Sequence, residues 1–345
     1  MDILMIGAGM VAQTHLLAIR DNKKGARLMG VLGRDTERTA AFCASASQLT
    51  GSDVRPFTDI RSAIDASPDM GLVITPPDAR ATPARALSDA GIATLMEKPV
   101  ERTVGAATEI VEHYAAAGVP LGVCFQHRTR AAATRLKRLL ESGAIGDIIH
   151  VEMCVPWWRP QSYYDAPGRG TYARDGGGVM INQAIHTLDL ALWLAGPVGT
   201  VQAIMRTSPL HQMEAEDIAA ALFTFRTGAS GVLTATTAAY PGGAEHISIL
   251  TEKARVLLQG DSLRIDRIDG DTEQFEPENS NETGGGADPM AFTHAWHQSV
   301  LEDFVEAVRD GRAPIAPARD ALHVHGVIDA MERAAASGKT ESVMQ

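Results

Sequence analysis

Three short stretches carry residues with chemistry to offer. The first is Gly7-Ala8-Gly9-Met10-Val11-Ala12, directly after the apolar run Ile3–Ile6. It has the G-x-G-x-x-G/A spacing that joins a strand to a helix in dinucleotide-binding folds. Gly7 permits the tight turn, Gly9 lets backbone approach a pyrophosphate, and Ala12 allows close helix–strand packing. The helix that Met10 and Val11 open offers free N–H groups and a positive dipole end to an anion. The second stretch is Leu32-Gly33-Arg34-Asp35, where such folds often hold an adenosine ribose with an acid. Here Gly33 has no side chain to repel a 2′-phosphate, and Arg34 with Arg38 can pair with one. That favours NADP over NAD, with Arg34 stacked on the adenine of NAD as the alternative. Asp35 reads equally well as the cap of the next helix. The third stretch is Met96-Glu97-Lys98-Pro99. At the carboxyl end of a strand in an open α/β sheet, Lys98 faces the ligand crevice, and Pro99 stiffens the turn that aims it. A Lys-Pro pair alone is an ordinary solvated turn.

These stretches need a scaffold. Apolar runs at Asp2–Ile6, Ala26–Leu32, Gly71–Thr75, Ala93–Met96 and Leu121–Phe125 alternate with helical patterns at Val11–Arg20, Arg38–Ala46, Thr82–Ala90 and Val104–Ala117. The rhythm predicts a doubly wound parallel sheet, an α/β Rossmann domain, over residues 1–123. After Phe125 it breaks. A helix at Ala131–Ser142 and a turn at Gly143–Gly146 precede strand-like runs at Asp147–Val155, Thr200–Arg206, Ala219–Phe225, Ala229–Thr237, His246–Thr251 and Arg255–Gln259. A helix at Val179–Ala195 interrupts them. The pattern predicts an α+β domain over 124–345, built on a large, open, mainly antiparallel sheet. Asn279–Asp288 reads as a polar, mobile loop, and helices near Trp296–Asp310 and Ala318–Ser337 close the chain.

Composition narrows the partners. The chain has 345 residues and a formal net charge of −11, which disfavours nucleic acid and anionic membranes. No stretch approaches a membrane span, and the apolar start is too short for a signal peptide. Cys43, Cys124 and Cys154 form no redox or metal-like pair, so a reducing cytoplasm is expected. His323 and His325 point to different faces of a helix, and no metal is expected.

Beyond these readings, the chain resembles the glucose–fructose oxidoreductase / inositol dehydrogenase / MocA family over nearly its whole length. The glycine turn with His15, the Thr75-Pro76-Pro77 strand end, Glu97-Lys98-Pro99 and the run Gly122–Arg128 carry the likeness. So do Gly143–Asp147, Asp175–Gly178, Asn182–Asp189 and Asp303–Ala307. The resemblance implies a sugar or polyol substrate, Lys98 against the substrate hydroxyl, and His186 as the proton-handling residue. It also implies cofactor contacts from Thr75, Pro76, Pro77 and Glu97, and a homodimer or homotetramer formed through the sheet face. Two departures stand out. Many members have histidine where this chain has Arg80, and many polyol dehydrogenases have aspartate where it has Asn182. The asparagine resembles the branch acting on nucleotide-linked sugars; an amide holds a hydroxyl but relays no proton.

The groups suit alcohol–ketone, or lactol–lactone, interconversion. A base must take the hydroxyl proton, and a donor must steady the developing alkoxide. An imidazole titrating near ~6.5 fits the first task at His186, and a compact ammonium fits the second at Lys98. Asn182 is placed with them, and Asp189 reads as structural. Among the aromatics and arginines between Trp157 and Tyr172, Trp158 and Arg169 are the substrate-binding candidates. Gln126 and Arg128, after the strand at Leu121–Phe125, can touch cofactor or substrate. His294 can approach the site if the preceding loop closes. A nucleotide-sugar 3-dehydrogenase is the nearest alternative. A dinucleotide-binding regulator without turnover is the alternative of another class, disfavoured because Lys98 and His186 are both present.

Overall fold

The structure is a computed structural model that describes residues 1–276 and 292–344. In chain order the first elements are β1 (Asp2–Ile6), α1 (Ala12–Asp21), β2 (Arg27–Leu32), α2 (Thr36–Thr50), β3 (Arg55–Phe57), α3 (Ile60–Asp65), β4 (Met70–Val73), α4 (Ala81–Asp89), β5 (Ala93–Met96), α5 (Val104–Ala117) and β6 (Leu121–Val123). There follow α6 (Ala131–Glu141), β7 (Ile148–Pro156), α7 (Gln161–Tyr164), α8 (Ile185–Ala195), β8 (Val198–Arg206), β9 (Ile218–Phe225), β10 (Ser230–Thr236), β11 (His246–Thr251), β12 (Ala254–Gln259), β13 (Ser262–Arg267) and β14 (Thr272–Phe275). The last are α9 (Ala295–Asp310), α10 (Ala318–Ser337) and β15 (Glu341–Ser342). The loop expected at Asn279–Asp288 lies outside the described residues.

The first unit holds residues 1–126 and 294–322. Its sheet runs β3-β2-β1-β4-β5-β6, with every pairing parallel. Every residue of β4 and β5 is buried, as a strand covered on both faces requires. Strand order reverses between β1 and β4, where the carboxyl ends of such a sheet open a crevice for ligands. Asp35, Asp59 and Thr103 cap α2, α3 and α5 by accepting backbone N–H groups. Asp35 thus takes the capping role its position allowed.

A single cut at 123/124 does not describe this unit. The chain passes to the second unit after Gln126, and 294–322 return to the first. The reason lies in α9: Val300, Leu301, Phe304 and Val305 pack in one core with Ile3, Met5, Leu16 and Ile19. Gly122 admits that packing, since a Cβ there would meet the Phe304 ring at 2.7 Å.

The second unit holds residues 127–293 and 323–345. Its sheet runs β14-β13-β12-β11-β7-β10-β9-β8-β15. β7 pairs in parallel with β10, and the other ladders are antiparallel. Inward residues alternate with outward ones along β9, where Ala219, Ala221, Phe223 and Phe225 are buried and Leu222 and Thr224 are exposed. The helix expected at Val179–Ala195 is interrupted: Met180–Ala184 form a π-helical turn before α8 begins. Such turns insert one residue and change which side chains share a face.

Candidate active site

In the first unit the site begins at the crevice between β1 and β4. Gly7 has φ +106, which a side chain would strain, and a Cβ on it would meet Thr75 Cγ2 and the Thr75 nitrogen, both at 3.2 Å. Gly9 has open space where its Cβ would stand, and Met10 beside it is 53% exposed. The helix α1 begins without a side-chain cap. The Thr75 hydroxyl is buried and has no hydrogen-bond partner among the described residues. An uncapped helix start, a bare glycine approach and an orphan hydroxyl fit the pyrophosphate and ribose of a dinucleotide. Gly7 and Thr75 therefore line one candidate cradle, with Gly9, Met10 and Val11 continuing from Gly7 and Pro76 and Pro77 from Thr75.

At the end of β2, Arg34 and Arg38 are exposed, while the Asp35 carboxylate accepts the Arg38 N–H at 2.9 Å. Gly33 has a packing reason of its own. A Cβ there would lie 2.1 Å from the Thr39 hydroxyl.

The β-ladder carries this register to the catalytic candidate. Ile74 N–H donates to Ile6, Glu97 N–H to Val73, and Cys124 N–H to Met96, at 2.8–2.9 Å. Lys98 thus leaves the end of β5, half-buried, on a turn whose Lys98–Pro99 peptide is cis. Glu97 points inward. Its Oε1 lies 2.8 Å from His15 Nε2 and 3.6 Å from His297 Nε2, and its Oε2 accepts the Lys98 N–H at 3.1 Å. Burial alone pushes a carboxyl up, yet the bonds from His15 and His297 hold Glu97 well below the usual range. Burial lowers His297, and burial with the Glu97 charge pushes the Cys124 thiol well above its ordinary value.

His15, Glu97, Cys124 and His297 bring ligand atoms within 4.8 Å of one another, a set of types that can hold a metal. The spacing favours hydrogen bonding. Two ligands on one tetrahedral ion with ~2.0–2.1 Å bonds stand about 3.3 Å apart. The His15–Glu97 pair is closer, at 2.8 Å. Sequence reasoning did not find this cluster, because its members come from α1, the β5 and β6 ends, and α9. Glu97, expected as a cofactor contact, gives its carboxylate to that cluster. Gln126 is buried on the short turn Gln126–Thr129. His294 Nε2 lies 2.8 Å from the Asp21 carboxylate at the end of α1.

In the second unit, His186 sits in the first turn of α8, buried, with the His127 ring centred 5.0 Å from its own. Arg130 Nη2 donates to His127 Nε2 at 2.7 Å, and Arg130 pairs with buried Glu245 at 2.7 Å. Asn182, on the π-helical turn, donates its amide to the carbonyls of Gly177 and Gly178 at 2.8 and 3.1 Å. Glu216 accepts the Gly178 and Met180 N–H groups at 3.1 and 3.0 Å, so the segment leading to His186 is capped by a distant side chain.

Arg128 was expected to touch substrate. It is instead buried in a two-point pair with Asp189, at 2.9 and 2.6 Å. Asp189 needs that cation, because a fully buried carboxylate without one is costly; its structural reading and the inward turn of Arg128 are one fact. Arg169 is partly exposed, lies over the Tyr163 ring at 5.1 Å, and stands 3.8 Å from Asp175. Trp158 is half-buried, with the Tyr240 ring 5.4 Å away. His323 accepts the Val198 N–H at 3.1 Å.

Two family models match this chain. Residues 1–125 match an oxidoreductase family with an NAD-binding Rossmann fold, and residues 133–257 match the GFO/IDH/MocA C-terminal domain. The chain is 26% identical to the D-apiose dehydrogenase of Paraburkholderia graminis, covering 97% of this chain and 88% of that one. It is 24% identical to the inositol 2-dehydrogenase of Rhizobium meliloti, covering 98% of each. Among solved structures, the WlbA dehydrogenase of Bordetella pertussis, in complex with NADH and UDP-GlcNAcA, matches with a TM-score of 0.82 and 28% identity over 99% of this chain and 98% of that one. The chain belongs to the GFO/IDH/MocA family and is an NAD-binding oxidoreductase of the class that acts on CH–OH groups.

Proposed function

We propose that the protein interconverts a secondary alcohol and a ketone, or a lactol and a lactone, on a sugar, polyol or sugar derivative. The bound dinucleotide supplies the two-electron partner, taking or giving a hydride. Lys98 steadies the substrate oxygen as it gains negative charge, and His186 takes or returns its proton. Asn182 holds a hydroxyl, and Arg169 and Trp158 contribute to the substrate surface. The observation that carries the reading is the Lys98 turn at the β5 end, beside the Gly7–Thr75 cradle, in a chain similar throughout to D-apiose and inositol dehydrogenases.

The test is a panel of free sugars, polyols and nucleotide sugars with both cofactors, followed at the reduced-nicotinamide absorbance. With the best substrate, Lys98→Met and His186→Ala are each expected to lower kcat by about 10²–10⁴-fold. Cofactor affinity should stay near wild type. Wild-type rates in either variant would remove that residue from the mechanism.

A second reading, a nucleotide-sugar 3-dehydrogenase, is favoured by Asn182 and by the 28% identity to a WlbA dehydrogenase solved with UDP-GlcNAcA. Turnover of nucleotide sugars alone in the panel would select it.

The finer cofactor reading is NADP. Arg34 and Arg38 are both exposed at the β2 end, and the Asp35 carboxylate between them is spent as a helix cap. The WlbA relative was solved with NADH, so the reading is exposed to a direct check. Fluorescence titration should give the tighter Kd for NADPH; NADH binding tenfold tighter would reverse it.

The outward face of the second unit's sheet carries Ile204, Leu222 and Leu250, 64%, 59% and 39% exposed. Apolar side chains grouped on one open face suit association of copies into a dimer or tetramer. Leu222→Glu should lower the mass seen by light scattering, and an unchanged mass would sink that assignment. Among the described residues no helix is long and apolar enough to cross a membrane. Three free cysteines accord with a reducing cytoplasm.

A further inference from the structure

Arg80 departs from the histidine that many family members carry, and its surroundings give it a task. It lies just before α4, 3% exposed. Its Nε donates to the Thr75 carbonyl at 2.9 Å. Its Nη1 donates to the carbonyls of Glu97 and Pro99, and Nη2 reaches the Lys98 carbonyl at 3.3 Å. One planar cation therefore bridges the β4 end, in the dinucleotide cradle, to all three residues of the Glu97-Lys98-Pro99 turn.

We propose that Arg80 is a positioning residue: it fixes the backbone of that turn against Thr75 and so sets the direction in which the Lys98 amine leaves it. The inference rests on the role given to Lys98 above. Both peptide groups flanking the Lys98 Cα are held, the N–H by the Glu97 carboxylate at 3.1 Å and the C=O by Arg80. What remains to Lys98 is rotation about its own side-chain bonds. Burial lowers Arg80 to about 10, with the charges of Glu97, Glu101 and Asp78 acting against it, so it stays a cation at neutral pH. Carbonyl dipoles, not a carboxylate, surround the guanidinium in its hydrogen bonds. Only a guanidinium offers donors on three nitrogens in one rigid plane. A lysine supplies one point of attachment, and a histidine supplies two at most.

The geometry matters because a displacement of about 1 Å at a reacting group can cost ~10²-fold in rate. Arg80→Lys is expected to lower kcat roughly 10- to 100-fold on that scale. KM and the NADH Kd should change less than about threefold, since no binding contact is removed. The decisive measurement is a double-mutant cycle with Lys98→Met. If Arg80 acts through Lys98, Arg80→Lys has no further effect on the residual rate of Lys98→Met. Multiplying effects, or a wild-type kcat in a folded Arg80→Lys protein, would overturn the proposal. Should Arg80→Lys fold poorly, Arg80→His, the residue of other members, enters the same cycle and is read the same way. Wild-type activity in Lys98→Met itself would mark failure of the Lys98 role rather than of the clamp.

Discussion

Two carboxyl sites, one in each unit, meet burial with opposite results. Glu97 lies in the first unit with two imidazoles and the Lys98 N–H around it, and it stays ionised well below the ordinary carboxyl range. Glu216 and Glu332 lie in the second, beside Gly177 and Gly178; burial raises both, and the Glu216 charge raises Glu332 further. Burial is the largest influence on Glu332, followed by the charges of Glu216 and then Asp329, and its carboxyl is pushed up to about 7. Burial by itself would raise both sites. The difference is what surrounds them: donors able to carry positive charge in one unit, further carboxylates in the other. Each site supports a turn leading to a proposed reacting group, Lys98 after Glu97 and His186 after the segment that Glu216 caps.

The comparison is broken most forcefully by deletion. Glu97→Ala leaves His15, His297 and the Lys98 N–H without their shared acceptor. It should cost about 3 kcal/mol in urea unfolding, the scale for opening a buried, hydrogen-bonded charge. Glu216→Ala loses two N–H bonds but also removes the charge that raises Glu332, so about 1 kcal/mol is expected. Equal costs would mean that the surroundings of the two carboxyls do not matter as argued.

What the sequence revealed, and what it hid, follows the same division between backbone demands and distant partners. Gly7 and Gly9 were legible because the turn constrains the backbone itself. Strands β4 and β5 were legible because burial on both faces leaves unbroken apolar runs. β3 was not: it has three residues, one of them Pro56, at a sheet edge where proline is tolerated. β13 and β14 were hidden by charge, since Leu263 and Ile265 alternate with Arg264 and Asp266. The return of α9 to the first unit was hidden for another reason. An amphipathic pattern says that a face is covered, not by what. At the site, the Glu97 cluster joins His15 to a partner 82 residues away. Arg80 was visible as a departure, but its acceptors are carbonyls, which leave no mark on residue identity. Arg128 misled because an arginine beside a predicted crevice looks like a ligand, whereas Asp189 claims it from 61 positions on.

The smaller test separates the two sites by pH. In the first unit Glu97 titrates below its ordinary 4.5, so its contribution is present above that value and lost as pH falls. Burial holds His297 below 6.5, so below about that pH the unfolded imidazole takes up a proton first, and acid weakens this unit further. In the second unit Glu332 is raised from 4.5 to about 7, so its contribution is complete below 4.5 and lost as pH rises through 7. Glu332→Gln removes that alkaline loss while keeping the side chain's shape. At pH 8.5 the variant should melt about 2–4 °C above wild type, the shift that roughly one kcal/mol makes in a unit of this size. At pH 5, where wild-type Glu332 is already protonated, the two should coincide. Hydrogen exchange should place the gain in peptides spanning 177–184 and leave those of β5 and α9 unchanged. A gain of equal size at both pH values would show that the substitution merely improves packing, and the opposition between the two carboxyl sites would lose its electrostatic basis.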